Sequence, residues 1–151
     1  MPAGYQRIAA EQDVPASILY ALAAAESGQR LASGRYRPWP WTLNVAGTPR
    51  RFRTARAALE ALRAHLDAGQ TNIDVGLMQV NWHWHGHRFV SPAEALAPYT
   101  NLRVGAQILR EQHDAATDWL QAAGLYHAPA DADAAAAHRA RVRDHLEVMS
   151  P

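Results

Sequence analysis

The residue whose type and setting could most readily do chemistry is Glu26, a single carboxylate between the apolar run Ala21–Ala25 and Ser27-Gly28. Alanine and leucine favour helix and glycine commonly ends one, so the pattern predicts Glu26 in the last turn of a buried helix that stops at Gly28. Apolar neighbours and the negative end of the helix dipole both disfavour an ionised carboxyl group. The setting therefore favours a protonated acid, and the alternative is a glutamate that merely faces solvent.

A second carboxylate, Asp74, lies in a polar stretch shortly before Gly76. Its neighbours Thr71 and Asn72 favour the ionised form, so the two carboxyl groups would differ in protonation. Cleavage of a glycosidic bond needs such an acid and a second group that stabilises the positive charge developing on the sugar or reacts with it. The alternative for Asp74 is a turn residue that hydrogen-bonds to its own backbone.

Three histidines alternate with other residues after Trp82: His83, His85 and His87. In an extended segment they would share one face, and imidazole is a common metal ligand. No carboxylate or cysteine has a matching spacing, and the intervening tryptophans suit packing or sugar stacking better. We therefore expect neither a metal nor a cofactor, with a metal-dependent enzyme as an alternative.

Arginines and aromatic residues form two further groups. The arginines Arg50, Arg51, Arg53 and Arg56 cluster near a predicted hairpin. Such a run usually forms a solvated face, and its functional alternative is contact with the carboxylates of an acidic polymer. Aromatic side chains could stack on sugar rings, although they are more often part of a core. The aromatic candidates are Trp39, Trp41, Trp82, Trp84 and Tyr126.

The composition bounds the class of protein. The chain has 151 residues, a net charge of +1 and no cysteine. This length suits a single domain, the near-neutral charge argues against a nucleic-acid surface, and the core must hold without disulfides. No apolar run reaches the roughly 20 residues that a membrane span needs, and no signal peptide is apparent.

Hydrophobic periodicity and capping residues predict an α+β fold that is mostly α, with about seven short helices and a small β element. Helices are expected at 5–12, 16–27 with Asp13 as its cap, 55–68 with Thr54 as its cap, after Ser91, 101–115 with Asn101 as its cap, 118–125 and 131–148. The last of these has an apolar stripe at Val142, Leu146 and Met149. Strands are expected at 41–45 and 50–53, a turn or strand at 71–81 with a tight passage at Gly76, and irregular chain at 28–40 and 82–89.

Four motifs, in this order, resemble the soluble lytic transglycosylase (SLT) domain of the lysozyme superfamily. They are Glu26-Ser27, Gly76-Leu77-Met78-Gln79-Val80-Asn81, Asn101 through Gly105 to Ile108-Leu109, and Ala123-Gly124-Leu125-Tyr126-His127. The likeness covers about residues 5–128 and is closest to VirB1-like members, which accompany type IV secretion and conjugation systems. The resemblance thus implies one lysozyme-like domain over residues 1–151, with the helix 131–148 packed on it.

The resemblance also implies a reaction. Glu26 would act as general acid and then as base in cutting the MurNAc–GlcNAc β-1,4 bond of peptidoglycan. The C6 hydroxyl of the muramic sugar would complete the reaction and leave a 1,6-anhydro end, with Asp74 as a second carboxylate that this chemistry does not require. The implied substrate-binding residues are Ser27, which would also orient Glu26, Gly76, Leu77, Met78, Gln79, Asn81, Tyr126 and His127. The implied location is the periplasm, where the enzyme would open the wall locally for a secretion or conjugation apparatus.

Two alternatives remain open. The segment Asp74–Asn81 also resembles the strand of animal (c-type) lysozymes that carries their catalytic aspartate, which would make the protein a muramidase using Glu26 and Asp74. A carboxyl separation of about 5–5.5 Å would then indicate a nucleophile, and about 6.5–9.5 Å a water-activating base. The other alternative is a non-catalytic glycan-binding or scaffold module.

Overall fold

A computed structural model describes residues 1–116 and 118–149 and confirms the α+β, mostly α fold class. The helices are α1 Ala3–Gln12, α2 Ala16–Ser27, α3 Ala55–Asp67, α4 Trp82–His85, α5 Pro92–Leu96, α6 Pro98–Asp114, α7 Trp119–His127 and α8 Ala132–Met149, with a 3-10 helix at Gly86–Arg88. The strands are β1 Gly28–Arg30, β2 Tyr36–Pro38, β3 Thr42–Val45, β4 Thr48–Arg51, β5 Ile73–Val75 and β6 Val80–Asn81. Among the described residues, none of the helices is both long and apolar enough to cross a membrane.

The chain divides into two compact units. The first unit combines Met1–Ala25 with Gly105–Pro151, and the second is Glu26–Val104. Both divisions fall inside helices, the first near the end of α2 and the second in α6.

The first unit is helical, and its last two helices pack closely. Gly124 of α7 lies against the backbone of α8, since a Cβ added there would lie 2.6 Å from the carbonyl oxygen of Ala135. Val142 of α8 is fully buried, as its place in the predicted apolar stripe requires. The sequence therefore predicted α8 well, and its packing on α7 is tight enough to need a residue without a side chain.

Asp13 ends α1 and does not cap α2, contrary to the sequence prediction. Its backbone is left-handed, with φ 55°, and its N–H points back to the carbonyl of Ala10 at 3.4 Å. Aspartate tolerates this conformation better than most residues do. The residue therefore closes the last turn of the preceding helix.

The second unit contains two antiparallel sheets. One is the β1–β2 hairpin, and the other has the strand order β4-β3-β5-β6. Ala46 and Gly47 join β3 to β4 with φ values of 49° and 91°, a two-residue turn of the kind that hairpins favour. An apolar row crosses the larger sheet at Leu43, Val75 and Val80, which are 0–2% exposed.

The prediction of an irregular segment at 28–40 was wrong. Gly28 is not a left-handed helix stop, because the chain passes directly from α2 into β1, where Gly28 pairs with Pro38. Trp39 then donates its N–H to the carbonyl of Ser27 at 3.0 Å. The hairpin supplies hydrogen-bond partners at the helix end that a glycine stop would otherwise have provided.

Two helices of the second unit begin directly after the capping residues in the sequence. Thr54 caps α3 by accepting from the N–H of Ala57, and Ser91 caps α5 by accepting from the N–H of Glu94. Asn101 does not cap α6, which begins three residues earlier at Pro98. Its side chain bonds to other segments instead, so the cap prediction failed at a residue with a tertiary role.

Candidate functional site

Glu26 lies in the last turn of α2, as the apolar run before it predicts. The run preceding it is buried, with Ala21, Leu22 and Ala23 at 0% exposure. Glu26 itself is half-buried, and its Oε1 atom is buried. The rigid, buried helix therefore holds a carboxyl group at its C-terminal end.

Ser27 connects this helix end to a distant segment of the second unit. Its side chain is fully buried, and its hydroxyl donates to the carbonyl of Leu77 at 2.7 Å while accepting from the N–H of Trp39 at 3.3 Å. The two residues of the first bond are 50 positions apart in sequence. The residue next to Glu26 is thus bound to the Gly76–Gln79 turn, the second motif singled out in the sequence.

The Gly76–Gln79 turn joins β5 to β6 and has an unusual backbone. Gly76 has φ 81° and Gln79 has φ 47°. The side-chain amide of Gln79 donates to the carbonyls of Thr42 and Gly76, at 3.1 and 2.9 Å. Leu77 and Met78 are buried and Gln79 is half-buried. Hydrogen bonds within the turn and to Thr42 of β3 therefore hold it in one conformation.

Asn101 is a residue whose role sequence analysis missed. It is fully buried, and its amide donates to the carbonyls of Val75 and Ala95 at 2.7 and 2.9 Å and accepts from the N–H of Met78 at 2.8 Å. A Cβ on Gly76 would lie 2.5 Å from this amide. Its place in the third motif was the available signal, since a buried polar residue in a helix needs partners elsewhere.

Asp74 lies in the middle of β5, on the sheet face opposite the apolar row. Its register partners are Asn44 on β3 and Asn81 on β6, and paired residues project to the same face. The amide of Asn81 donates to Asp74 Oδ1 at 3.0 Å. The sheet therefore presents a carboxylate flanked by two amides, and the role of Asp74 as a second carboxylate beside Glu26 stays a prediction.

The histidine segment is helical, not extended. His83 and His85 lie on α4 and His87 on the following 3-10 helix, so alternate residues are turned about 200° apart and share no face. His83 Nδ1 lies 3.1 Å from the hydroxyl of Thr71, and His85 Nδ1 accepts from Arg88 Nε at 3.2 Å. The common face on which the metal alternative depended is therefore absent.

The tryptophans of the second unit divide into packed and exposed ones. Trp39 and Trp41 meet edge to face at 5.4 Å, and Trp82 stacks on Phe89 at 6.5 Å. Trp84 on α4 is 70% exposed. Of the stacking candidates in this unit, Trp84 is the ring most open to a sugar.

Tyr126 and His127 lie at the end of α7 in the first unit. Tyr126 is half-buried, and the exposed His127 stacks on the buried His138 of α8 at 4.3 Å. Arg141 donates toward His138 Nδ1 at 3.0 Å. A role for Tyr126 and His127 beside Glu26 stays a prediction.

A comparison with protein families gave one match, and it covers nearly the whole chain. The family described as Transglycosylase SLT domain matches residues 5–147, which includes α8 as well as the motifs quoted above. Comparison with curated proteins and with solved structures gave no match. Because this match covers most of the chain, the chain belongs to the Transglycosylase SLT domain family, whose domains act on peptidoglycan.

Proposed function

We propose that the protein is a lytic transglycosylase that cleaves the MurNAc–GlcNAc β-1,4 bond of peptidoglycan, with Glu26 as its acid and base. Membership of the SLT family supports the class of reaction. The observation that carries the residue assignment is the hydrogen bond from Ser27 to Leu77, at 2.7 Å. This bond joins the end of α2, next to the half-buried carboxyl group of Glu26, to the Gly76–Gln79 turn, and both segments lie in the second unit.

In the proposed mechanism, Glu26 does the proton transfers. Its carboxyl group donates a proton to O4 of the leaving GlcNAc as the bond to C1 of MurNAc breaks. The resulting carboxylate then accepts the proton of the C6 hydroxyl while O6 bonds to C1. The step consumes no water and leaves a 1,6-anhydro end.

The remaining predicted site residues have supporting roles in this proposal. Ser27 holds the end of α2 on the turn, and Gly76, Leu77, Met78 and Gln79 shape the backbone beside the glycan. Asn81 orients Asp74 through its 3.0 Å hydrogen bond. Tyr126 and His127 complete the proposed sugar contacts, and the family match across both units supports a single catalytic domain.

The proposed setting is the cell wall outside the cytoplasm. Action on peptidoglycan requires contact with the wall, and the likeness of the motifs to VirB1-like members supports the periplasm and service to a type IV secretion or conjugation apparatus. The partners are then glycan strands and components of that apparatus.

Muramidase activity is the second candidate, because the polar face of the larger sheet holds the carboxylate of Asp74 in a defined orientation. Asp74 lies between Asn44 and Asn81 and accepts a hydrogen bond from the latter. If Asp74 acts as nucleophile or base, water enters the product and the sugar keeps a free reducing end.

The first experiment is mass spectrometry of soluble muropeptides released from purified sacculi by the wild type and by Glu26→Gln. We expect products lighter by one water than reducing-end muropeptides, with release lowered about 100-fold or more by the substitution, because general acid–base catalysis contributes on that scale. Glu60→Gln is the matched control, since Glu60 is an exposed residue of α3 paired with Arg56.

The outcomes separate the alternatives. Full-mass reducing ends that disappear in Asp74→Asn would establish a muramidase. Equal, negligible release by wild type and Glu26→Gln would overturn the enzymatic proposal and favour a glycan-binding module.

A further inference from the structure

Seven arginines and no acidic residue occur between residues 27 and 59. The whole chain carries a net charge of only +1, so this segment concentrates positive charge. The arginines are Arg30, Arg35, Arg37, Arg50, Arg51, Arg53 and Arg56, and all are exposed. The positive charge is therefore a surface feature of the second unit.

Two neighbouring hairpins carry most of these arginines. Arg51 of β4 donates to the carbonyl of Gly28 at the start of β1, at 3.0 Å. The indole of Trp39 donates to the carbonyl of Phe52 at 2.8 Å, so the end of β4 runs beside the β1–β2 hairpin. Arg37 is one register position along that hairpin from Gly28. Arg51 projects to one face of β4 together with Thr42, and Arg50 projects to the other face together with Leu43. We call Arg37, Arg51 and the following Arg53 the arginine surface.

Most of the positive charge on this surface is not neutralised by the protein. Outside the surface, Arg56 pairs with Glu60 at 3.0 Å. Among the described residues, Arg37 and Arg53 have no carboxylate within ion-pair distance. Like charges gathered without counter-charges repel each other, so the arrangement costs stability unless a ligand supplies anions.

The surface adjoins the helix end that carries Glu26. The carbonyl that Arg51 binds belongs to Gly28, two residues after Glu26, and all these groups lie in the second unit. A guanidinium group presents a planar fork of donors that matches a carboxylate. Anions attached close to the bond that Glu26 would cleave are therefore the ligands that suit this position.

We propose that the arginine surface binds the carboxylate groups of the peptide stems of peptidoglycan, an inference that rests on the proposed function. The stems branch from the muramic sugar at the cleaved bond and carry free carboxylates. Nucleic acid suits the surface less, because the near-neutral charge of the whole chain disfavours binding to a long polyanion.

The test measures binding of Glu26→Gln protein to intact sacculi and to sacculi whose stems an amidase has removed. Arg37→Gln/Arg53→Gln is compared with Arg63→Gln/Arg143→Gln, which removes the same charge at exposed positions of α3 and α8. We expect about tenfold weaker binding to intact sacculi for the first pair only, because the loss of two exposed ion pairs has an effect on that scale. Stem removal should weaken the parent protein similarly, and raised salt should weaken its binding to intact sacculi.

Three results would overturn the proposal. Unchanged binding by Arg37→Gln/Arg53→Gln would mean that the arginines only protect the edge strand β4 from pairing. Equal binding with and without stems would assign the ligand to the glycan itself. Arginine-dependent binding to duplex DNA as tight as that to sacculi would assign the surface to nucleic acid.

The binding test is separate from the activity test. If the protein binds stem-free glycan as tightly as intact sacculi, the proposed function remains intact and only this inference is removed. Failure to bind sacculi or glycan at all would count against both. Circular dichroism of each double variant checks that the fold is retained.

Discussion

Asn101 and Gly76 form a contact in which each residue requires the other. The amide of Asn101 satisfies two carbonyls and one N–H in the interior, and Gly76 leaves room for it in a left-handed conformation with φ 81°. The turn they hold carries Leu77, the partner of Ser27. At the scale of residues, the backbone beside Glu26 therefore depends on a buried amide 75 positions later in the chain.

Asn101→Ala should lower the free energy of unfolding by about 2–4 kcal/mol, because it leaves three buried polar groups unsatisfied. Gly76→Ala should also destabilise, through the positive φ and the 2.5 Å approach to the Asn101 amide. Urea unfolding of both single variants and the double variant measures the coupling between them.

The double variant should be more stable than the sum of the two losses predicts, because removing Asn101 relieves the steric part of the Gly76→Ala penalty. Strict additivity would contradict a direct contact. Asn44→Ala, on the half-exposed polar face of the sheet, serves as an amide control and should cost less.

At the scale of elements, helices with local caps and the β3–β4 hairpin were predicted closely, whereas the three-residue strands β1 and β2 were not. The helix α2 was predicted with its observed bounds, and Thr54 caps α3 as expected. The strands β1 and β2 have three residues each and no clear alternation, so their pairing alone defines them. Residues 82–88 are helical, contrary to the predicted irregular segment 82–89, because their mixture of aromatic, glycine and histidine residues gives no helical period.

Gly124→Ala should destabilise the protein by about 1–3 kcal/mol, although alanine is the better helix former by about 1 kcal/mol. The reason is that the new Cβ would lie 2.6 Å from the carbonyl oxygen of Ala135, a backbone atom that cannot turn aside. Thermal unfolding followed by circular dichroism shows whether the substitution lowers or raises the melting temperature.

Ala137→Gly, at an exposed position of α8, is the matched control and reports helix propensity without a change in packing. A rise in the melting temperature of Gly124→Ala would contradict the close approach of α7 and α8.

At the scale of the whole molecule, two compact units share two continuous helices. The divisions at Ala25/Glu26 and at Val104/Gly105 fall within α2 and α6. Helix formation is cooperative along the chain, so unfolding one unit should disturb the helices of the other. This continuity supports the proposed single domain.

We therefore expect one cooperative thermal transition, with equal calorimetric and van't Hoff enthalpies, as is usual for chains of this size. Trp119 lies in the first unit, whereas the other tryptophans lie in the second. In Trp119→Phe, fluorescence reports the second unit alone, and its midpoint should coincide with the midpoint from circular dichroism of the same variant. Two separated transitions would show that the units fold independently.

The sequence by itself determined the features that depend on neighbouring residues. The apolar run before Glu26 predicted its place at the end of a buried helix, and the ordered motifs predicted the family that the comparison found. Hydrophobic periodicity and caps act over three or four residues, so they can be recognised in a short stretch of sequence.

Only the tertiary structure decided the features that depend on distant partners. Ser27 bonds to Leu77 across 50 positions and Asn101 to Val75 across 26, and Arg51 reaches the carbonyl of Gly28 across 23 because two hairpins lie side by side. A buried polar group must find a partner wherever the fold supplies one, and no local pattern specifies which residue that is. The helix that carries Glu26 was therefore predictable, whereas the contacts that position it depend on the folded chain.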